Sequence, residues 1–255
     1  LHFLTLILVL ILQLIIVNQT GSYQIIDNYL YVGENNFKNF FSQLFFVSGW
    51  LENSKFSFNF PIWSVSIEIV IYFLFFFAIS AIYKFKFLLS LTIFLFFLFI
   101  EKSGIDLFFH SCGRYFFSGV LLFFVCDKIK KNYYILILAL ALCSLNLIGN
   151  FKYNLFFAAV VLFAYYLDKQ TNYKVKTFYP NLGNLTYGSY LLHIPTQLFI
   201  ILIMLKFNFN YEIFKSVYFF LFYLIIIFFL SHISFKFFEN PMRILLRKSF
   251  NKKRL

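Results

Sequence analysis

Between Pro61 and Ile82 the chain carries a single charged residue, Glu68, in a run of Ile, Val, Leu and Phe that holds no countercharge. A run of this length is long enough to cross a bilayer as a helix. An ionised group inside it costs about a few kcal/mol or more in hydrocarbon, so it faces a polar cavity or a partner. Ser64 lies one helical turn before Glu68 on the same face, and Ser66 lies two residues before it. Together they mark a polar stripe in an apolar helix.

Seven further apolar stretches follow the same rule. The expected spans are Leu1–Val17, Pro61–Ile82, Phe85–Ile100, Gly113–Val125, Tyr133–Ile148, Phe151–Leu167, Leu182–Leu205 and Val217–Phe238. Each is expected to be helical, because lipid-exposed backbone must satisfy its own hydrogen bonds and none of them alternates as a barrel strand does. The fold class read from this is all-α, a polytopic transmembrane helical bundle of about eight spans. It forms one integral-membrane domain over 1–255 with a basic tail over 243–255. With 62% hydrophobic residues, 13% charged and 43 Phe, no water-soluble domain could bury this much apolar surface. Phe40–Leu51 is apolar but too short to span, so an interfacial or re-entrant helix is expected there. It falls in Asn18–Phe60, the only long connection, which is long enough to carry binding residues.

The net charge of +12 is mainly a topology signal. With Leu1 on the cytoplasmic side, fifteen of the 22 Lys and Arg residues, including Lys84, Lys86, Lys128, Lys130, Lys131, Lys169, Lys174, Lys176 and the tail, fall on that side. The tail then lies against anionic headgroups. A nucleic-acid partner would need a basic patch on a soluble domain, and the sequence has none. Cys112, Cys126 and Cys143 have no metal-ligand spacing and read as small core residues, and no metal site is expected. His2, His110 and His232 carry no motif.

Two constellations bring polar chemistry into the other spans. In Leu182-Gly-Asn-Leu-Thr-Tyr-Gly-Ser-Tyr-Leu-Leu-His-Ile-Pro195, Ser189 and Tyr190 share a helix face with His193. His193 either serves a site or donates to a carbonyl near Pro195 and holds two helices together. In the second, Arg114 opens a helix with Ser118 one turn deeper. Its guanidinium either binds an anion, neutralises a carboxylate such as Glu68, or snorkels to the interface. Phe237-Phe-Glu-Asn-Pro-Met-Arg243 ends the last span, and local pairing of Glu239 with Lys236 or Arg243 is expected.

These residues resemble a known family. Trp63-Ser-Val-Ser-Ile-Glu68-Ile-Val-Ile-Tyr72 is similar to the tryptophan, serine and glutamate motif of the acyltransferase 3 family of membrane O-acyltransferases. The stretch ending in His193 and Pro195 resembles its glycine, tyrosine and histidine motif. Phe238-Glu-Asn-Pro241 with Arg243 resembles its terminal signature, and Arg114 through Gly119 a looser arginine-to-glycine pattern.

The resemblance implies a ten-helix bundle of which the first two helices, with a catalytic histidine, precede Leu1. It also implies a bacterial inner-membrane location, no bound cofactor, and transfer of an acyl group, commonly acetyl, from acyl-CoA to a hydroxyl of a surface carbohydrate or glycolipid. Glu68 and His193 are then the catalytic candidates, Glu68 orienting or charge-pairing with the base. Trp63, Ser64, Ser66, Arg114 and Tyr190 are the substrate-binding candidates. The rival reading is a transporter or flippase of lipid-linked sugars, with an inactive relative as a third.

Overall fold

The computed structural model describes residues 1–21, 35–50, 57–104, 108–129, 131–148, 154–170 and 179–252. They form nine α-helices and, among the described residues, no strand. The helices are α1 His2–Thr20, α2 Phe37–Leu44, α3 Ile62–Ser103, α4 His110–Lys128, α5 Asn132–Ile148, α6 Asn154–Gln170, α7 Tyr179–Phe207, α8 Val217–Ser234 and α9 Asn240–Lys252. Lys55, Lys130, Lys152, Lys174, Lys176, Lys253 and Arg254, counted above for orientation, lie outside the described residues.

Among the described residues, four helices are long and apolar enough to cross a membrane: His2–Thr20, Ile62–Ser103, Leu182–Phe207 and Val217–Ser249. The expected count of about eight spans is therefore not supported. All eight stretches carry helix, but α5 and α6 have 17 residues each, roughly 26 Å of rise against a hydrocarbon core of about 30 Å. The polar start of α4, His110-Ser-Cys-Gly-Arg114, dilutes its apolar character. Two expected spans, moreover, belong to the single element α3.

That element is not straight. Lys86 has φ 47° and ψ −121°, a conformation native to glycine at the first central position of a tight reverse turn. The ring of Phe117 on α4 lies 6.4 Å from Phe75 and 5.8 Å from Phe97. In a continuous helix Phe75 and Phe97 would be roughly 33 Å apart. The chain therefore reverses at Lys86, and residues 62–85 and 87–103 form a hairpin whose arms both pack on α4.

The chain groups into two compact units, Leu1–Ser66 with Phe178–Leu255, and Ile67–Thr177. In the first, the stripe Leu6, Val9, Leu12 and Ile16 of α1 packs on Ile194, Leu198 and Ile201 of α7. These spacings of three and four put one helix face against another. In the second, Ile71, Ile82, Phe97 and Phe117 form one cluster, and Cys126, Ile135, Ala139 and Leu162 another.

Polarity is inverted relative to a water-soluble protein. Helix α2 buries Asn39, Ser42 and Gln43 while Phe37 and Phe45 are 80% and 68% exposed. Thr5 and Gln13 of α1 and Ser231 of α8 are likewise inside, whereas Leu4, Ile7, Ile11, Phe228 and Phe229 point out. Such a surface is stable against hydrocarbon and not against water, which makes this a membrane protein.

Helix α2 meets the expectation of a short helix in the long connection, and it doubles back along α1. Asn35 donates to Gln13 Oε1 at 3.0 Å, whereas Gln43 lies at the opposite end of α1, where its carbonyl oxygen is 2.9 Å from His2 Nε2. The chain thus retreats along α1 by eleven residues of helix, roughly 16 Å.

Candidate functional site

Proline 195 sets up the first site. A proline in a helix interior has no N–H for the carbonyl four residues earlier, and that carbonyl belongs to Leu191. Asn59 takes its place: its Nδ2 donates to Leu191 O at 3.1 Å and to Thr5 Oγ1 at 3.2 Å. The connecting segment is thereby pinned to α1 and α7 together. Gln43, fully buried, adds a second pin by donating to Ser57 O and accepting from Asn59 N at 3.2 Å.

This docking delivers the start of α3 to α7. Tyr190 donates to Pro61 O at 2.9 Å, and its hydroxyl lies 2.6 Å from Ser64 Oγ. One turn on, His193 Nδ1 is 2.7 Å from Tyr190 O. A carbonyl only accepts, so Nδ1 carries the ring proton and Nε2 of the neutral imidazole keeps its lone pair. The ring meets Phe60 edge-on at 6.2 Å, and Tyr223 of α8 donates to the His193 carbonyl at 2.8 Å. His193 therefore bonds within its own helix, and the carbonyl freed by Pro195 is held by Asn59 instead.

Ser66 plays a different part from Ser64. It is fully buried, accepts from Gly49 N at 2.8 Å and donates to Trp63 O at 2.7 Å, while Trp50 Nε1 donates to the Ser66 carbonyl at 3.1 Å. These bonds use its hydroxyl to fasten the Ser48–Trp50 turn to α3, so Ser66 is a scaffold residue. Trp63 is half-buried beside it.

The third motif reaches the same unit through a close helix crossing. A methyl group on Gly188 of α7 would stand 3.2 Å from Glu239 Oε1 and 3.3 Å from Ser231 Cβ. Between α8 and α9 lies a turn of π-helix, Phe235–Glu239, whose wider coil turns Glu239 toward α7. Ser234 donates to Glu239 Oε1 at 3.0 Å. Arg243 instead donates to Asn240 Oδ1 at 2.9 Å, and Lys236 stands over Phe237, so the expected pairing of Glu239 with these cations is replaced by a serine hydroxyl.

The second unit holds the other two candidates. Glu68 accepts from Tyr72 at 3.2 Å and lines an open pocket of about 310 Å³ with Ile71, Tyr72, Cys112, Tyr115 and Phe116. A carboxylate, a phenol and a thiol share this hollow, so Cys112 is a pocket wall as well as a small packing residue. Arg114 pairs with Glu101 at 2.8 Å, at the open end of the α3 hairpin, and its guanidinium lies 4.7 Å over the Tyr115 ring. The countercharge that Arg114 neutralises is Glu101 rather than Glu68. Its Nε is buried without a hydrogen-bond partner.

Several contributors had weak signals in sequence. Asn39, Ser42 and Gln43 recur at helical spacing, which could have exposed the buried polar face of α2. Asn59 carries no such pattern, and only the loss of an N–H at Pro195 creates its role. His2 is 3% exposed with Nδ1 unpartnered, a part of this polar core that its isolated position in sequence concealed. Among the described residues no group of three His, Cys, Asp or Glu could hold a metal ion. Compared with known proteins, the chain matches no family model, no curated relative and no solved structure.

Proposed function

We propose that this chain belongs to a membrane O-acyltransferase of the acyltransferase 3 type, moving an acyl group, commonly acetyl, from acyl-CoA to a hydroxyl of a surface carbohydrate or glycolipid at a bacterial inner membrane. In this reading all eight apolar helical segments cross the bilayer, the two arms of α3 as a hairpin turned at Lys86. The observation that supports it is the meeting of Pro61 and Ser64, Tyr190 and His193, and Ser231 and Glu239 within one unit, although they are far apart in sequence.

His193 Nε2 takes the proton of the acceptor hydroxyl as its oxygen attacks the thioester carbonyl carbon. The C–O bond forms, the tetrahedral intermediate collapses, the C–S bond breaks and the coenzyme A thiolate recovers the proton. Bonding of Nδ1–H to Tyr190 O fixes the tautomer for this transfer, and it holds the ring against Phe60. The Ser64 and Tyr190 hydroxyls, 2.6 Å apart, orient the acceptor. Glu68 works as a carboxylate in its own pocket, positioned by Tyr72, and Arg114 meets an anionic part of a substrate.

The test compares acyl content of surface glycans, by mass analysis, in cells with the intact gene and with His193→Gln. Loss of an acyl-sized mass by about 10²-fold at unchanged membrane abundance is expected for a missing proton-transfer group. Unchanged acylation together with impaired movement of lipid-linked sugars would replace this reading with the transporter.

A further inference from the structure

Helices α7 and α8, with Leu8 and Leu12 of α1, border an open groove of about 930 Å³. Its walls are aliphatic and aromatic, with Phe199 and Ile203 facing Phe222 and Ile226, and hydroxyls enter only at Thr196, Ser216 and Tyr218. The lining runs from Leu192 to Met204 and from Tyr218 to Leu230, roughly 18 Å along each helix. This volume lies near the top of the range of about 300–1,000 Å³ for small-molecule sites. Phe199 and Phe222 of this lining are each more than half exposed, so the groove opens to its surroundings, and left unfilled it would forfeit dispersion contacts of the side chains that line it. Hydrocarbon is the medium that suits such a surface.

One end of the groove specifies what the hydrocarbon is attached to. Phe209 and Ile213 close it at the turn Tyr211–Lys215, which follows α7 directly. Lys206 and Lys215 flank this end, both exposed. Glu212 occupies Lys215 at 2.7 Å, so the end carries a net single positive charge. The His193 end of the groove has no cation on α7. A long apolar slot with cationic groups at one end matches a chain joined to a negatively charged phosphate headgroup.

We propose that this groove binds one hydrocarbon chain of an anionic phospholipid, with the phosphate at Lys206, since Glu212 occupies Lys215. His193 is not among the residues that line the groove, so the proposal does not rest on the acyl-transfer reading.

The full chain is reconstituted in vesicles containing a trace of phosphatidylglycerol or of phosphatidylcholine, each with the same diazirine-bearing acyl chain. After illumination, labelled peptides are mapped by mass spectrometry. The phosphatidylglycerol probe is expected to label residues 192–204 and 218–230 about fivefold more than the phosphatidylcholine probe, the scale of one lysine at an anionic headgroup. Lys206→Ser with Lys215→Ser should bring the two probes level, and Ile200→Trp, which fills the groove, should remove both labels. The two lysines are exposed, so that variant keeps its fold and stays informative if Ile200→Trp does not. Equal labelling by the two probes in the unaltered chain, a preference that survives loss of both lysines, or label outside these segments would overturn the proposal.

Discussion

Arg114 and Glu101 offer the sharpest test of how the second unit is held together. Their side chains are 10% and 31% exposed and meet at 2.8 Å where the second arm of α3 ends and α4 begins. Removing one member of a buried pair strands the other and costs about 3–5 kcal/mol, whereas replacing both by apolar residues is near neutral or favourable. Glu101 is partly open to solvent, so the lower figure applies, and Arg114→Met is expected to cost about 3 kcal/mol. For a chain of this size that corresponds to a fall in Tm of roughly 6–12 °C. Glu101→Met should cost slightly more, because Arg114 is the more enclosed partner. The double variant should return to within about 1 kcal/mol of the original chain, giving a coupling of about 5 kcal/mol in magnitude. Thermal unfolding in detergent, followed by far-UV circular dichroism, measures all four corners of the cycle. Additive losses in the double variant would show that the two residues do not hold each other, and that Arg114 is kept for another purpose.

Further outcomes follow from the same geometry. Lys86→Gly should raise Tm, because a glycine relieves about 1–3 kcal/mol of backbone strain at φ 47° and loses less than that to the entropy of its unfolded chain; a lower Tm would argue that the lysine side chain anchors the turn. Gly188→Ala gains up to about 1 kcal/mol of helix propensity but meets Ser231 and Glu239 at 3.2–3.3 Å, so a net loss of about 1 kcal/mol is expected and Gly188→Leu should lose far more. In an active form of the enzyme, Glu68→Gln should cut acyl transfer about 10²-fold at normal abundance, while Phe76→Leu on the same helix leaves it intact. In intact cells an impermeant thiol reagent should label a cysteine at Asn18 and not one at Ser249; the reverse pattern would invert the orientation.

Helical class and membrane environment were legible because hydrocarbon imposes a simple rule on long apolar runs, and the chain obeys it at every run. Span count was not. Apolarity shows where helices lie but not whether 17 residues of α5 suffice to cross, nor that Lys86 adopts a turn normally reserved for glycine. Ser64, Tyr190 and His193 were legible as polar groups needing partners in apolar helices, and they find them: Ser64 Oγ and Tyr190 Oη lie 2.6 Å apart, and His193 bonds the Tyr190 carbonyl. Ser66 obeyed the same rule for a different reason, being spent on the Ser48–Trp50 turn. Asn59 and Glu101 were hidden, since each owes its role to a partner more than ten residues away: a carbonyl orphaned by Pro195, and a guanidinium on the next helix.

The inverted face of α2 also dictates an order of assembly. Its asparagine, serine and glutamine face cannot rest in lipid alone, and the carbonyl that anchors its following segment through Asn59 belongs to α7, which is synthesised more than a hundred residues later. Residues 35–50 and 57–60 are therefore expected to wait at the membrane surface or in the insertion machinery until α7 arrives. Chains that stop before Leu191 would leave this segment without its dock, so truncation from the C-terminal side should expose it to proteases even when every preceding helix has been inserted.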